Sequence, residues 1–204
     1  MRLRNVKNAD KILEESPLVV LENPFDDSRE LRIEIGTGKG DFIIGTARKY
    51  PNVNFIGIEK YPSVLVRALE KIEDIPDNLR FMCIDAKNIE DYFDHNISVI
   101  YLNFSDPWPK TRHEKRRLTS ESFLKSYEKI SKECVHIKQK TDNKGLFAYS
   151  LVSLNNAGYH FNDVCLDLTN SNIDNVQSEY EKKFVAVGET INYLDAEKKL
   201  PNFK

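Results

Sequence analysis

The stretch LRIEIGTGKG, residues 31–40, decides the fold of this chain. Its first half, over 31–35, has the apolar pattern of a β-strand. The glycines that follow let the backbone turn tightly and approach a ligand with no Cβ in the way. Residues 41–50 then have a helical pattern that stops at Pro51, so we predict a strand, a glycine loop and a helix in succession.

The same alternation of strand and helix continues along the chain. Helices are predicted from Pro62, from Thr119 and over 144–156, and the further strands are predicted at 54–59, 79–84, 99–104, from 134 to 137, 159–168 and 183–194. The last two strands have a short polar connection and are expected to pair antiparallel. We therefore predict an α/β fold: a Rossmann-like, doubly wound, mostly parallel seven-stranded sheet with helices on both faces and an antiparallel last strand. Residues 31–204 form a single domain in this prediction, after a basic, irregular lead-in over 1–30.

Bulk composition excludes several classes of protein. The chain has 204 residues, a net charge of −2 and 40% hydrophobic residues, which fits one globular domain and not a general nucleic-acid coat protein. No apolar run is long enough for a membrane span, so no membrane partner is expected. The widely spaced Cys83, Cys134 and Cys165 predict buried thiols in a reducing cytoplasm and no disulfide framework. The four histidines lack ligand spacing, so no metal is expected. Composition leaves both a monomer and a homodimer open.

Positive charge is concentrated in residues 110–117, which we call the basic segment. It has a single acid, Glu114, against Lys110, Arg112, Lys115, Arg116 and Arg117. Such a patch on a nearly neutral protein indicates a docking surface for an anionic partner. A solvated loop is the general alternative for a run of charge.

Acidic residues follow three predicted strands. Glu34 precedes a G-x-G-x-G loop in which Asp41 stands where a dinucleotide fingerprint needs its third glycine; a carboxylate there repels phosphate and attracts an ammonium. Glu59 can accept hydrogen bonds from a ribose hydroxyl pair. Asp85 can accept from an adenine amino group or cap the next helix. Together these acids predict a pocket for an adenosine that carries a positively charged tail.

The fourth strand leads into NFSDPWPKTRHEKRRLT, residues 103–119. Pro107 and Pro109 fix the backbone on both sides of Trp108, so the turn is stiff and holds Asp106 at the mouth of the predicted pocket. A rigid turn with Trp108 as a plug is the alternative interpretation. An acid at a cofactor pocket, beside a phosphate-binding segment, is what a nucleic-acid-modifying site requires.

Six short motifs occur in order: GTGKG at 36–40, GIE at 57–59, NFSDPWPK at 103–110, KRR at 115–117, KTDN at 140–143 and SEYEKKF at 178–184. Together they resemble the bacterial tRNA (guanine-N7-)-methyltransferases over residues 1 to about 195. The Asp-Pro-Trp loop with its basic continuation is the specific part, because most class I methyltransferases have a similar glycine loop. The resemblance implies methyl transfer from S-adenosylmethionine to guanosine 46 of the tRNA variable loop.

The resemblance also implies roles for individual residues. The cofactor site would contain Glu34, Gly36, Gly38, Glu59, Asp85 and Asp106. The guanosine would contact Lys110, Asp142, Ser178, Glu179, Tyr180 and Glu181. The tRNA phosphates would lie against Arg112, Lys115, Arg116 and Arg117. Two departures from the family pattern are Lys132-Glu133-Cys134 in place of a Gly-Gly pair, which affects the placement of Asp142, and Ser178 in place of threonine, which keeps the hydroxyl.

The chemistry explains why acids suit this reaction. Guanine N7 has a lone pair and loses no proton when it is methylated, so no strong base is needed. Catalysis then depends on alignment and on anionic groups that face the developing positive charge. We predict Asp106 as the catalytic residue, with Asp142 second, and Trp108 as a brace for the loop more than a stacking surface.

Three other functions share some of these features. A methyltransferase that acts on an exocyclic base amine has the same fold, but it typically has a second adjacent proline where this chain has Trp108. A nicotinamide oxidoreductase is disfavoured by Asp41 and by the lack of a substrate domain. An RNA-binding module without catalysis leaves the acids at the strand ends unexplained.

Overall fold

Seven strands form one mixed sheet in the computed structural model, which describes residues 5–26, 28–74 and 76–201. The strands are β1 Leu31–Ile35, β2 Asn54–Ile58, β3 Leu79–Met82, β4 Ile97–Asn103, β5 Cys134–Thr141, β6 His160–Cys165 and β7 Asn192–Lys199. Their order across the sheet is β3-β2-β1-β4-β5-β7-β6, with β7 antiparallel to both neighbours and the first five strands parallel. The predicted doubly wound fold is confirmed.

Helices connect the parallel strands. They are α1 Ala9–Glu14, α2 Asp41–Lys49, α3 Pro62–Leu69, α4 Glu121–Ile130, α5 Lys144–Asn156 and α6 Glu179–Ala186, with short 3₁₀ helices at Ala86–Asp91, Thr111–Arg116 and Leu168–Asn170. The order of strands reverses between β1 and β4, and ligands of open α/β sheets bind at such a switch point, outside the carboxyl ends of the strands.

The parallel part of the sheet is largely buried on both faces, as expected for parallel strands between helices, whereas the edge strand β6 is mostly exposed. On one face Ile33 and Ile100 pack with Phe123 and Tyr127 of α4, and on the other face Phe55 packs with side chains of α2 and α3. Burial of this apolar surface contributes about 25 cal/mol per Å² and stabilises the scaffold that carries the strand ends. Within the described residues, no helix is long and apolar enough to cross a membrane.

The prediction was wrong for residues 183–194. The first part of that range belongs to α6, and β7 starts at Asn192 and runs on through a charged sequence. Strand β7 tolerates its charges because Asp195 binds His136 and Lys138 of β5 across the pair, at 2.7 and 2.9 Å. Leu194 and Ala196 face the apolar core on the opposite side of the same strand.

Smaller differences concern capping and the lead-in. Ser120, not Thr119, precedes α4; the buried Thr119 hydroxyl pairs with that of Ser150, at 2.8 Å. Residues 1–30 have seven acidic residues against five Lys and Arg, so their basic character is confined to the first residues. They contain α1, and the backbone of residues 18–20 pairs with Phe81 at the edge of β3. The division of the chain at residue 30 stays a prediction.

Candidate active site

The glycine loop after β1 has backbone conformations that glycine adopts without strain. Gly36, Gly38 and Gly40 have φ of +78°, +58° and +77°, in the left-handed region that other residues avoid. A Cβ added at Gly36 or Gly38 would meet no heavy atom within 4 Å, so the loop borders open space. Gly40 instead packs against Ala68 and Ile44, which fixes the loop to α2 and α3. The loop therefore forms a cradle in front of the sheet.

Glu34 lies at the end of β1 with 2% of its surface exposed. Its carboxylate accepts hydrogen bonds from the Thr37 hydroxyl and the Asn103 amide, both at 2.7 Å. Burial raises the pKa of Glu34 to about 7, against these two hydrogen bonds and the charge of Lys140. Because the pKa of this buried carboxylate lies near neutral pH, the charge of a cationic ligand would favour its ionised form.

Glu59 follows β2 and is also buried. Its two oxygens accept from the backbone N–H groups of Gly38, at 3.1 Å, and Tyr61, at 3.0 Å. These bonds tie the glycine loop to the end of β2 and orient the carboxylate. Burial raises the pKa of Glu59, and the backbone hydrogen bonds oppose that shift. An ionised carboxylate has about four acceptor positions, so two remain for hydroxyl groups of a ligand.

Asp85 follows β3 and is exposed. Its Oδ1 accepts from the backbone N–H of Lys87 at 3.0 Å and caps the helix Ala86–Asp91, so of the two predicted roles the capping one is present. The second oxygen is available to a ligand. The charges of Asp85 and Asp106 both help to raise the pKa of Lys60, after its hydrogen bond with Tyr61, so the two acids lie around one ammonium at the strand ends.

The loop after β4 stores backbone strain. Phe104 and Trp108 have φ of +50° and +42°, which bulky residues rarely adopt. Such conformations persist where the surroundings hold them, and they cluster at functional sites. The loop begins where the Phe104 N–H donates to the Lys140 carbonyl at 2.8 Å. Asp106 is exposed in this loop, and within the described residues its carboxylate accepts no hydrogen bond.

Arg117 is hydrogen-bonded to the backbone of the loop after β4. Its guanidinium donates to the Pro107 carbonyl at 3.1 Å and to the Trp108 carbonyl at 3.0 Å, and it lies 4.1 Å from the ring centre of Tyr149. The guanidinium of Arg116 lies 4.8 Å from the Trp108 ring centre. The structure thus gives Arg117 a half-buried position with two carbonyl partners, and the phosphate contact that the resemblance implied stays a prediction. Trp108 braces the loop in this arrangement.

The rest of the basic segment faces solvent. Lys110, Arg112, Lys115 and Arg116 are exposed, and residues 111–116 form a 3₁₀ helix directly after the Asp-Pro-Trp turn. The cationic side chains of the basic segment are therefore accessible to a polyanion that binds next to Asp106. This placement is what the sequence predicted for them, and the contact with phosphate itself stays a prediction.

Asp142 follows the last residue of β5 directly. β5 runs without interruption from Cys134 to Thr141, so the altered sequence before it does not displace the acid from the strand end. Asp142 is half-buried, and its charge contributes, after burial, to a raised pKa of the Tyr180 hydroxyl. Asn143 caps α5 by accepting from Leu146 N–H at 2.8 Å, which fixes the turn that contains Asp142.

The first turn of α6 forms the opposite wall. Ser178 caps the helix through the Glu181 N–H at 3.0 Å. Glu179 pairs with Lys39 of the glycine loop at 3.2 Å, and hydrogen bonds from Lys183 and Lys39 hold the pKa of Glu179 well below its usual range. Tyr180 packs its ring 4.9 Å from that of Phe104. The wall is therefore joined to both loops.

Glu181 differs from the expectation that it contacts the guanosine. It is 1% exposed and pairs with the ammonium of Lys140 at 2.7 Å, and it also accepts from the Asn175 amide. Burial lowers the pKa of Lys140, and the charge of Glu181 opposes that shift. Neither side chain is among the residues that line the cavity beside the glycine loop, and a contact of Glu181 with the guanosine stays a prediction.

These elements enclose a cavity of about 270 Å³. It is lined from the glycine loop, the start of α2, the end of β4 and the start of α6. Along the sheet edge the acids follow the strand order: Asp85, Glu59, Glu34, Asp106 and Asp142. The described residues contain no group of three His, Cys, Asp or Glu side chains that could hold a metal ion.

Sequence reasoning assigned no role to several polar residues of the site. Thr37 and Asn103 orient Glu34, Lys39 joins the glycine loop to α6, and Lys140 lies under the wall. Thr37, Lys39, Asn103 and Lys140 all stand inside motifs that were recognised. The signal that could have found them is polarity at strand ends in an otherwise apolar pattern.

Several solved structures have a similar fold. The chain superposes on an antibiotic-related methyltransferase with a TM-score of 0.63, at 21% identity over 84% of this chain and 88% of the other. It superposes on a 16S rRNA (adenine(1408)-N(1))-methyltransferase from Catenulisporales acidiphilia with a TM-score of 0.61, at 13% identity over 86% and 88%. These likenesses show that the chain has the class I methyltransferase fold, with the glycine cradle at its switch point.

Sequence comparison narrows the class to a family. A family model described as a putative methyltransferase matches residues 28–194. The chain is 50% identical to the tRNA (guanine-N(7)-)-methyltransferase of Lactobacillus gasseri, over 96% of this chain and 99% of that protein. It is 49% identical to the enzyme of the same name from Pediococcus pentosaceus, with the same coverage. The chain belongs to the tRNA (guanine-N(7)-)-methyltransferase family.

Proposed function

We propose that this protein transfers the methyl group of S-adenosylmethionine to N7 of guanosine 46 in the variable loop of tRNA. Membership of the family supports tRNA as the substrate and guanine N7 as the acceptor atom. Position 46 is the finer part of the proposal and comes from the resemblance of the motifs. With tRNA as its substrate, the enzyme would act in the cytoplasm. Its proposed state is a monomer or a homodimer.

One observation carries the proposal. Asp106 stands unpaired at the junction of the cofactor cradle and the exposed basic segment, on a backbone that is strained on both sides of it. Its carboxylate acts on the nearby ammonium of Lys60 but accepts no hydrogen bond from the described residues. It is suited to a positive charge that arrives with the substrates.

The cradle fits S-adenosylmethionine. Gly36 and Gly38 leave room for a ligand where other residues would place a side chain. Glu34 would face the positively charged tail, Glu59 would accept from the ribose hydroxyls, and Asp85 would accept from the adenine amino group through its second oxygen. When bound, the cofactor supplies an electrophilic methyl group on a positively charged sulfur.

The residues of the chain would then have to align the two substrates and stabilise the developing positive charge. They would not have to remove a proton. Because N7 attacks with its own lone pair, the carboxylate of Asp106 acts by charge, facing the cation as it moves towards the purine. Fixed geometry of the loop contributes by holding the reactants near the attack distance. The hydrogen bonds of Arg117 to the Pro107 and Trp108 carbonyls, and of the Phe104 N–H to the Lys140 carbonyl, would hold the loop and with it Asp106 during this step.

Selection of guanine would come from the β5 side. Asp142 can accept from the N1–H and N2–H₂ edge of guanine, and adenine lacks this pair of donors. Ser178, Glu179 and Tyr180 lie across the cavity from the β4 loop and would contact the guanosine, with Lys110 at the start of the basic segment. Arg112, Lys115 and Arg116 would meet tRNA phosphates, which position the substrate without reading its sequence.

The test is transfer of labelled methyl from S-adenosylmethionine to a tRNA transcript, followed by chemical cleavage at 7-methylguanosine. We expect a single cleavage at position 46 and no incorporation into a matched transcript with adenosine at that position. Label that persists in the adenosine transcript, or cleavage elsewhere, would refute the assignment of position 46. Label that survives without any 7-methylguanosine cleavage would instead support methylation of an exocyclic amine.

A further inference from the structure

Lys140 is a buried lysine that the proposed chemistry does not use. It is 3% exposed, and its ammonium donates three hydrogen bonds: to Asn175 Oδ1 and the Val176 carbonyl, both at 3.0 Å, and to Glu181 Oε2 at 2.7 Å. The ammonium also lies 4.6 Å from the ring centre of Phe42. All its donors are therefore satisfied by one segment, residues 175–181, which we call the wall segment.

A buried ion pair is weak evidence for stability. Removing two charges from water costs several kcal/mol, and apolar residues of similar size often replace such a pair without loss. What the pair does provide is a fixed geometry, because an ammonium with three partners tolerates few arrangements. The three partners of Lys140 lie in a stretch that has an irregular part before α6, so this geometry is not supplied by a sheet or a long helix.

The wall segment carries residues of the acceptor side. Ser178, Glu179 and Tyr180 line the cavity, and Tyr180 packs against Phe104, the first residue of the strained loop. The carbonyl of Lys140 itself accepts from the Phe104 N–H at 2.8 Å. Lys140 therefore holds the wall with its side chain and the start of the Asp106 loop with its backbone. The two sides of the acceptor pocket meet at this residue.

We propose that Lys140 is a positioning residue for methyl transfer: its ammonium fixes the wall segment against the Asp106 loop, and so sets how the guanosine meets the methyl group. This inference rests on the proposed function and adds a role for a residue that contacts no substrate. The cofactor acids Glu34 and Glu59 take their hydrogen bonds from other partners. The charge of Lys140 favours ionised Glu34, but the opposite charge of Glu181 lies beside it, so removal of both charges together should change cofactor affinity little.

The main variant is the double substitution Lys140→Met with Glu181→Gln. It removes both charges at nearly constant volume, whereas Lys140→Met alone would leave a buried carboxylate unpaired and destabilise the fold. We expect the single-turnover rate, at saturating S-adenosylmethionine and tRNA, to fall at least tenfold. The dissociation constant for S-adenosylmethionine, measured by calorimetry, should stay within threefold of the wild-type value.

Lys138→Met is the matched control. Lys138 lies two residues earlier on the same strand face and also pairs with an acid, Asp195, but among the described residues no hydrogen bond or ion pair joins it to the wall segment. Its rate should stay within twofold of wild type. A second variant, Asn175→Ala, removes an uncharged partner of Lys140 and should slow transfer several-fold, which provides a test if the double variant melts below the assay temperature.

The outcomes separate this inference from the proposed function. A wild-type rate in the double variant, or in Asn175→Ala if the double variant is unfolded, would overturn the positioning role while tRNA methylation stands. Loss of cofactor affinity in parallel with the rate would overturn it as well, because the pair would then support the whole site. A wild-type enzyme that does not methylate tRNA would refute the proposed function itself.

Discussion

The two halves of the sheet edge present their acids differently. On the β1–β2 side, Glu34 and Glu59 are buried, 2% and 7% exposed, and each accepts two hydrogen bonds from neighbouring groups. On the β4–β5 side, Asp106 is exposed and Asp142 half-buried, and within the described part of the chain neither carboxylate accepts a hydrogen bond. The acids on the β1–β2 side therefore have hydrogen-bond partners within the protein, whereas the acids on the β4–β5 side remain accessible to a ligand.

This difference suits the two substrates. A small cofactor that binds every cycle benefits from preorganised acids, because little is lost in ordering them. A tRNA has to approach, dock by its phosphates and present one base, so its acids must remain accessible while the backbone fixes their position. We therefore expect substitutions on the first side to change cofactor affinity, and substitutions on the second to change the rate of transfer.

Asp106→Asn should have the largest effect. It removes the charge that faces the developing cation, so we expect the single-turnover rate at saturating substrates to fall by about 100-fold or more. The thermal midpoint should hardly change, since the side chain is exposed. Asp94→Asn, at a side chain that is 96% exposed, is the matched control. Equal rates for the two variants would remove Asp106 from the mechanism.

Glu59→Gln should come next and should act on affinity. A hydrogen bond to a charged group contributes about 1.5–3 kcal/mol, so we expect S-adenosylmethionine to bind roughly 10- to 100-fold more weakly. Calorimetry with the cofactor alone measures this. The rate at saturating cofactor should recover most of its wild-type value; a rate that stays low at saturation would break the division between the two halves.

Glu34 predicts a pH dependence of stability. Its pKa in the folded protein is raised to about 7 by burial, from the ordinary value of 4.5. Between these values the folded state binds a proton that the unfolded state has lost, so stability falls as pH rises from 4.5 to 7. The total is about 3 kcal/mol. Glu34→Gln should therefore be more stable than wild type above pH 7, by denaturant unfolding, and no different near pH 4.

The same residue predicts how cofactor affinity changes with pH. A cationic ligand needs the ionised carboxylate, so below pH 7 affinity in the wild type should fall by up to about tenfold per pH unit. In Glu34→Gln the affinity should be weak and independent of pH in this range. Parallel pH profiles for the two proteins would show that Glu34 does not face the cation.

Arg112→Ala and Arg117→Ala should have smaller and different effects. Arg112 is exposed, so its loss should reduce the salt dependence of tRNA binding by about one phosphate contact. Arg117 is bound to the Pro107 and Trp108 carbonyls, so its loss should slow transfer and leave the salt slope unchanged. A reduced slope for Arg117→Ala, measured by tRNA binding at several salt concentrations, would return it to the phosphate surface.

The parallel part of the fold could be predicted because its signals are local. Apolar strands, the glycine loop and the buried stripe of Phe123, Tyr127 and Ile130 specify alternation, and the rules for parallel sheets then fix the edge where ligands bind. Strand β7 could not be found this way. Its Asp195 pairs with Lys138 and contacts His136 on a strand more than 50 positions earlier, and this pairing exists only in the folded sheet.

The same limit applies to the site: residues that local motifs mark could be predicted, and contacts that depend on tertiary packing could not. Motifs identified Glu34, Glu59 and Asp106, because acids after strands are visible in the sequence. The internal roles of Arg117 and Glu181 were not visible, since a charged residue in a motif looks the same whether it meets a ligand or a neighbour. Which of the two occurs depends on burial, and burial follows from packing.

One calorimetric comparison tests the division of labour most directly. Wild type, Glu59→Gln and Asp106→Asn are titrated with S-adenosylmethionine at pH 8, each shown by circular dichroism to be folded. We expect wild type and Asp106→Asn to bind within about threefold of each other, and Glu59→Gln to bind far more weakly. Native wild-type protein that gives no heat of binding, or equal binding by all three, would contradict a preformed cofactor half beside an open acceptor half.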